Sequence, residues 1–465
     1  MNILSLALIY HILNILAVLL AGFLVATVLQ QKRPPSTSLA WILFIVLVPY
    51  LAIPLYLAIG SRKLSQSRML EKEKLFTRPS RPPHSTVRLE LDHLLDSLGI
   101  PPALGGNQVT LHQHGRQSLD ALLKILNDAR QQIDVCIFIL ADDPVGQSVM
   151  KQLLLKARQG VRVRLLLDGV GSFLLPRKTL RPLRQAGVEI VRFIPVVHRP
   201  LKGRTNLRNH RKLVIADGRH AWSGGRNLAQ EYFLDQPDQP AWIDLSFNLK
   251  GPAACYYQSL FDADWDFASH GKFPDNLPAT DLPPMGDAIV RVLPSGPDVS
   301  DDPLQALMLS ACFEARERIV IVTPYFVPDS ALQEALRLAV GRGVQVDLVL
   351  PEHSNHHLAD LARSRYLREL HDSGATVHYH PHRMIHAKAM LFDQRLALCG
   401  SANFDLRSLY LNFESMALFY SGSEIIWLAN WMDSLIQQCR IADIKPPGRI
   451  RQLTEGAALL LSFQL

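Results

Sequence analysis

Cysteine is scarce in this 465-residue chain, with five residues at 136, 255, 312, 399 and 439 and no C-x-x-C pair among them. Without a pairing framework, the chain does not read as a disulfide-built secreted scaffold. An odd number of thiols, most of them in apolar runs, fits buried and reduced side chains. Charge is missing from the N-terminal segment. Ile3 to Leu29 carries no Asp, Glu, Lys or Arg and is interrupted by His11, Asn14 and Thr27. That exceeds the roughly 20 apolar residues needed to cross a bilayer. The stretch also lacks a basic leading segment and is too long for the core of a signal peptide, so a cleaved leader is the weaker reading. What remains is of ordinary composition, 48% hydrophobic, and long enough for two or three domains. Its net charge of +7 favours anionic partners: nucleic acid, acidic lipid or phosphorylated substrates.

A second apolar run extends from Leu39 to Ile59, separated from the first by a polar turn holding Lys32, Arg33, Pro34 and Pro35. Residues 1–60 are therefore expected to form a two-helix transmembrane hairpin. Arg62, Lys63, Arg68, Lys72, Lys74, Arg78 and Arg81 follow the second run, which places the large remainder on the cytoplasmic side by the positive-inside rule. Residues 61–105 read as a basic, proline-rich linker with a short helix, its cations able to rest on anionic headgroups.

The rest is written twice. Residues 106–283 present a helix (Leu119–Ala129), a buried strand (Ile133–Leu140), a second helix ending at Gly160, the strand Val161–Leu167 and a later strand Gly187–Arg192. Residues 284–465 repeat the order with Leu304–Glu317, Ile319–Thr323, Ser330–Val340, Gly343–Leu350 and Gly374–His378. Helices alternating with apolar strands predict an α/β sandwich in each half, the two packed about a pseudo-twofold axis.

Each half also carries the pattern H-x-K-x4-D-x6-G-[GS]-x-N. The first copy is His210, Lys212, Asp217, Gly224, Gly225 and Asn227; the second is His386, Lys388, Asp393, Gly400, Ser401 and Asn403. One copy is weak, but two at equivalent places of an internal repeat are strong. On a strand, residues two apart share a face, so each His is expected to point with its Lys. Two imidazoles and two ammonium groups around one pocket suit metal-free phosphodiester chemistry. One imidazole attacks phosphorus to give a phosphohistidine, and the other protonates the leaving alcohol and later deprotonates its replacement. Lys212 and Lys388 would neutralise the phosphoryl oxygens, with Asn227 and Asn403 hydrogen-bonding to them. Gly225 and Ser401 would let phosphate approach the backbone. Glu231 and Glu414, downstream of the two Asn residues, are candidates to hold the imidazoles. Asp217 and Asp393 end their strands and are candidates for chemistry or for a structural, orienting role.

These motifs closely resemble the phospholipase D superfamily, and specifically bacterial cardiolipin synthases. Asp142-Asp143-Pro-Val-Gly146, Asp168-Gly-Val-Gly-Ser172, Arg208-Asn-His-Arg-Lys212, Ser223-Gly-Gly-Arg-Asn227 and Glu231-Tyr232 look like that family's first half. Thr323-Pro-Tyr-Phe-Val-Pro328, His386-Ala-Lys388, Gly400-Ser-Ala-Asn403 and Asn412-Phe-Glu414 look like its second. The resemblance implies transfer of a phosphatidyl group from one phosphatidylglycerol to another, giving cardiolipin and glycerol, with His210 the nucleophile and His386 the acid. It implies no cofactor, a membrane-embedded enzyme of the bacterial inner membrane, and no nucleic-acid partner. The chain departs from the family at Trp242-Ile243-Asp244, where an Arg usually separates Trp and Asp. It departs again at Pro381-His-Arg-Met-Ile385, where Pro-Gly usually precedes the second His.

Other features compete less well. His353, His356, His357, His378, His380 and His382 are dense enough to suggest a metal, but no matched carboxylate or cysteine set accompanies them, and none is expected. The basic residues Arg199, Lys202, Arg204, Arg208 and Arg211 would grip anionic lipid rather than nucleic acid, given the membrane anchor. Ala457–Ser462 is too short to span a bilayer and should pack on the core. Phosphatidyl transfer to another alcohol, hydrolysis to phosphatidic acid, a tethered nuclease and a lipid-binding scaffold are the rival functions. The oligomeric state is not legible.

Overall fold

A computed structural model describes residues 3–31, 35–64, 89–195, 204–271, 282–420 and 422–460. Lys32 and Arg33 of the turn, Arg68 to Arg81 of the linker, and Arg199 and Lys202 lie outside the described residues. The chain forms two compact units, Met1–Arg62 with Val197–Leu207, and Lys63–Val196 with Arg208–Leu465.

In the first unit, α1 (Ile3–Gln30) follows from an uninterrupted run of apolar side chains, and its segment Leu8–Gln30 is long and apolar enough to cross a membrane. The second apolar run does not form one continuous helix, as the hairpin expectation required. It splits into α2 (Pro35–Leu47) and α3 (Pro49–Ile59), each short for a span. The cause is local: Val48 precedes a proline, whose ring excludes the helical conformation, and it sits at φ −135°, ψ 59°. The three helices bury Leu24, Val28, Ile45, Ala52, Ile53 and Tyr56 against one another. Tyr50 Oη donates to Asn14 Oδ1 at 3.0 Å, so the carboxamide in the middle of α1 has a partner from α3.

The second unit is built on strands that the sequence repeat foretells. The first copy supplies β1 (Leu104–His112), β2 (Gln132–Ile137), β3 (Arg162–Asp168), β4 (Glu189–Phe193), β5 (Arg208–Asn209), β6 (Leu213–Ala216), β7 (His220–Gly224) and β8 (Ser246–Lys250). The second supplies β9 (Ala288–Ser295), β10 (Arg318–Val322), β11 (Phe326–Val327), β12 (Gln345–Pro351), β13 (Thr376–His380), β14 (Ala389–Phe392), β15 (Leu396–Gly400), β16 (Phe404–Asp405), β17 (Asn412–Phe419) and β18 (Arg440–Ile441). Most join one sheet in the order β18-β13-β12-β10-β14-β15-β17-β9-β1-β8-β7-β6-β2-β3-β4. With β18 set aside, this order maps onto itself about the β9–β1 junction when each first-copy strand is exchanged for its second-copy equivalent. The duplication is thus a twofold relation.

Period-2 alternation makes each half a sandwich. Ile133, Val135, Ile137, Val163, Leu165 and Leu167 pack with the helices Gly115–Asp128 and Pro144–Arg158. Asp134 and Arg164, on the other face, meet Asp262 of the helix Ala254–Ser269, with Arg164 bonding Asp134 at 2.6 Å and Asp262 at 2.7 Å. In the linker, the short helix forms at Glu90–Ser97, where Asp92 accepts from the Leu89 N–H and pairs with Arg291. At the C-terminal end, Ala458 packs with Val327 and Ala362; residues 461–465 lie outside the described residues.

The strands β2, β3 and β4 run parallel, as do β10, β12 and β13, while β6 and β14 run against them. The segments leading into β6 and β14 therefore emerge at the C-terminal edge of each parallel set, where open α/β sheets bind ligands.

Candidate active site

Both histidines precede their strands rather than lying in them, because each segment leaves its own sheet to pair with the other half. Asn209 is in parallel register with Phe413, and Ile385 with Ile243. The His210 N–H donates to Phe413 O at 2.9 Å, and the His386 N–H to Ile243 O at 2.7 Å. The next residue along each partner segment is a carboxylate. His210 Nδ1 bonds Glu414 at 2.9 and 3.1 Å, and His386 Nδ1 bonds Asp244 at 2.7 Å. Each half thus supplies one imidazole and the acid that orients the other half's imidazole.

The expected partner Glu231 does not take this place. Its carbonyl accepts from Trp242 N–H, burial raises its carboxyl pKa, and Asp244 holds His386 instead. The signal was available: Asp244 stands just before β8 as Glu414 stands near the start of β17, and those strands are equivalent in the repeat. Glu231's neighbour Tyr232 does reach the site, its ring set edge-on to that of His386 with centroids 4.9 Å apart, and the Trp242 centroid lies at 5.5 Å. Phe138 does the same for His210 at 5.0 Å.

The acids are themselves held. Ser401 Oγ donates to Glu414 Oε2 at 2.5 Å, and Leu245 N–H to Asp244 Oδ1 at 2.7 Å. A Cβ on Gly225 would lie 2.2 Å from Asp244 Oδ1, so that position makes room for the carboxylate, where the earlier expectation was room for phosphate. Two fully buried arginines clamp the backbone of the acids. Arg211 donates to Glu414 O at 3.0 Å while pairing with Asp264 and Asp298, and Arg226 donates to Asp244 O. Arg211 and Arg208 were expected to face lipid headgroups. Both are buried, and Arg208 bonds Ile194 O and pairs with Asp168.

Lys212 and Lys388 are wholly buried beside the histidines. Lys212 Nζ donates to His210 O at 2.7 Å. Lys388 Nζ donates to His386 O and lies 2.7 Å from Nδ1 and 3.1 Å from Nε2 of that ring. Burial, with repulsion by Lys388, brings Lys212 down to about 7, and burial brings Lys388 down to about 8 against the pull of Asp244 and Glu414. Burial also lowers His210 to about 4, against the pull of Glu414 and with the push of Lys212 and Lys388. Burial and Lys388 lower His386 to about 3, opposed by Asp244. Each imidazole is depressed by lysines of both halves, so the four groups share one electrostatic site. Burial would raise Glu414 and Asp244, but His210 and His386 respectively hold them below the usual carboxylate range.

Asp217 and Asp393, offered as catalytic candidates, are elsewhere. Asp217 accepts from the N–H groups of Arg130, Gln131 and Gln132 at 2.7–2.9 Å. Asp393 accepts from Arg316, Glu317 and Arg318. Both sit at φ 52° in the hairpins after β6 and β14, a region Asp tolerates better than most residues. Asp217→Ala is expected to cost about 2–4 kcal/mol of stability, since charged hydrogen bonds and the backbone preference go together. The turnover of the folded fraction should not change. Denaturation melts run beside active-site-titrated kinetics check this, and a kcat loss without a stability loss would contradict it.

Asn227 and Asn403 are also largely committed to the protein. Asn227 Nδ2 donates to Tyr232 Oη at 2.9 Å and its Oδ1 accepts from Ile139 N–H. Asn403 Nδ2 donates to Asp405 at 3.0 Å. Their geometry positions the aromatic wall and the following turn. Among the histidines weighed for a metal, His378 bonds Asp347 at 2.9 Å and His380 Nδ1 accepts from Arg383 N–H. Cys136, Cys312 and Cys399 are buried, and Cys255 and Cys439 are half-buried.

The chain is similar to known proteins over most of its length. Residues 122–265 and 308–436 match the family described as cardiolipin synthase, PLD-like domain, and residues 3–61 match the phospholipase D-nuclease N-terminal family. The chain is 34% identical to cardiolipin synthase A of Pseudomonas aeruginosa over 452 residues, covering 92% of this chain and 91% of that one. It is 32% identical to the major cardiolipin synthase of Bacillus subtilis over 440 residues, 88% of each. Its fold is similar to that of phosphatidylserine synthase from Haemophilus influenzae, with TM-score 0.59 at 14% identity, covering 77% of this chain and 95% of that one. A duplicated sheet, two crossed His–carboxylate pairs and full-length relatives place this chain in the cardiolipin synthase family of phospholipase D-like proteins.

Proposed function

We propose that this chain joins two phosphatidylglycerol molecules into cardiolipin, releasing glycerol, through a phosphohistidine at His210. The observation that carries the reading is the crossed pairing of each imidazole with the other half's carboxylate. It makes both Nδ1 atoms donors to carboxylates and so assigns the chemistry to the Nε2 atoms, one for phosphorus and one for the alcohol oxygen. His210 Nε2 attacks, the glycerol oxygen departs, and His386 supplies its proton. The hydroxyl of the second phosphatidylglycerol then gives its proton to His386, attacks phosphorus and frees His210. The assignment of roles rests on an asymmetry. Lys212 turns to a carbonyl and, among the described residues, nothing hydrogen-bonds His210 Nε2, whereas Lys388 lies against the His386 ring.

With the protein's own groups alone, both imidazoles are neutral at pH 7. A phosphodiester anion beside Lys212 and Lys388 offsets the positive charge that depresses them, which lifts His386 toward carrying the proton it must donate. The anchor at residues 1–60 would put the site at the membrane as a multi-pass protein, its catalytic part cytoplasmic by the charge of Arg62 and its neighbours. Anionic lipids are the partners this implies, with no nucleic acid and no cofactor in the chemistry.

Reconstituted protein given phosphatidylglycerol alone should yield cardiolipin and free glycerol. Phosphatidic acid as the main product would replace this reading with hydrolysis, and metal-independent cleavage of plasmid DNA would replace it with a nuclease. The lysines add a pH test. The kcat/KM profile follows the free enzyme, so it should fall on the alkaline side as Lys212, near 7, and Lys388, near 8, lose charge. Bound phosphate stabilises the ammonium forms, so the limb in kcat lies at higher pH. Lys212→Arg cannot deprotonate in this range, and an alkaline limb in kcat/KM unchanged by it would sink the assignment.

A further inference from the structure

The loop after β3 leaves the same sheet edge as His210. It carries three apolar side chains that the core does not use: Val170 is 44% exposed, Phe173 60% and Leu174 90%. Arg177, Lys178, Arg181 and Arg184 follow on exposed positions, and Arg192 of β4 lies beside them. Arg177 and Arg184 are close enough to Arg192 to add to the effect of burial in lowering its pKa. No acidic residue occurs between Asp168, which is buried, and Glu189, which pairs with Arg162 at 2.9 Å. The cationic collar is therefore not neutralised within its own segment.

The base of this loop is tied to the nucleophile. Asp168 accepts from the N–H groups of Val170 and Gly171 through one oxygen and from Asn209 N–H through the other, at 2.8–3.0 Å. Ser172 Oγ donates to Phe138 O at 2.8 Å, and Phe138 is the ring packed on His210. A Cβ on Gly171 would meet Phe138 O at 2.3 Å, so loop and ring are in contact. Arg192 donates to Ser172 O at 3.2 Å, which joins the collar to the base.

We infer that Val170–Arg184 is an interfacial anchor, in which Phe173 and Leu174 enter an anionic bilayer while the basic collar rests on its headgroups. An apolar tip ringed by cations matches the layering of a lipid surface, apolar chains below anionic phosphates. The partner is the bilayer itself, from which a lipid phosphate must reach His210; this rests on the phosphatidylglycerol reading above. The equivalent loop of the second half, residues 352–357, exposes His353, His356 and His357, is followed by a single exposed leucine, Leu358, and carries no Lys or Arg. Docking is thereby assigned to the half that holds the nucleophile.

The test uses the full chain reconstituted in vesicles, with Cys255 and Cys439 changed to Ser and an environment-sensitive fluorophore on Leu174→Cys. Glu334→Cys, on an exposed face of the helix Ser330–Gly341, is the control. Phosphatidylserine vesicles with shallowly brominated acyl chains should quench the label at 174 and not at 334, and less so at about 1 M salt, where screening falls within 3 Å. A label at 174 as unquenched as the one at 334 overturns the proposal. This readout needs no turnover, so quenching at 174 upholds the anchor even if cardiolipin proves not to be the product. In parallel, Phe173→Gln with Leu174→Gln should raise the phosphatidylglycerol fraction giving half-maximal rate about tenfold in vesicles. The rate on detergent-dispersed lipid should not change. An equal loss in both media would mean a structural role and would also overturn the proposal.

Discussion

His210→Ala should lose cardiolipin formation by at least about 10⁴-fold, and so should His386→Ala, because one removes the bond-forming atom and the other the proton donor. The two losses have different origins, and a change of leaving group separates them. Glycerol leaves as an alkoxide unless His386 protonates it, so with phosphatidylglycerol neither variant should accumulate a protein-bound phosphatidyl group. With a phosphatidyl ester of p-nitrophenol the leaving group needs no proton. His386→Ala should then release nitrophenol in a burst and retain a labelled, acid-labile adduct, while His210→Ala should do neither. The backbone N–H of each histidine is bonded to the facing segment, and alanine keeps that bond while removing the ring and its carboxylate contact. An adduct in His210→Ala and none in His386→Ala would exchange the two roles. Substantial turnover of phosphatidylglycerol by either variant would end the two-histidine mechanism.

Local pattern made most of this architecture readable in advance. The strands β2, β3, β10 and β12 are short runs of buried apolar residues with helices between them. Two copies of a spaced His, Lys, Asp, Gly and Asn pattern mark the site. What could not be read is what depends on the crossing of the halves. The identity of the acid behind His386 requires knowing that Ile385 pairs with Ile243, a contact spanning more than 140 residues with no local signature. Spacing from Asn227 pointed to Glu231, because the stretch between β7 and β8 is longer than its counterpart between β15 and β17. Asp217 and Asp393 misled for the opposite reason. They lie within the motif, but their carboxylates cap three amides of the strand start beside them, a demand of the hairpin and not of the chemistry. Arg211 looked like a surface cation in a basic run, and only the position of Asp264 and Asp298 makes it an internal clamp. The break at Val48 was signalled by Pro49, which the apolar run outweighed.

The crossed carboxylates give the second large effect. Glu414→Gln and Asp244→Asn are nearly isosteric, so the bond to Nδ1 can re-form, but the amide can present N–H where the carboxylate had only acceptors. If it donates to Nδ1, the imidazole proton moves to Nε2. For His210 that removes the lone pair that attacks phosphorus. For His386 it keeps a proton on Nε2 for the first step but removes the charge that stabilises the imidazolium. Glu414→Gln is therefore expected to lower kcat by about 10²–10⁴, the scale seen when an orienting aspartate is replaced by its amide in a serine–histidine triad. In the first step Asp244→Asn should act mainly on the leaving-group proton, so its deficit in the rate of adduct formation should shrink with the p-nitrophenyl ester while that of Glu414→Gln persists. Ser401→Ala supplies a graded control. It removes the 2.5 Å bond to Glu414 without touching the imidazole, and its loss should be in the same direction and well short of that of Glu414→Gln. Equal sensitivity of both acid variants to the leaving group would show that the two imidazoles are not divided between attack and proton transfer.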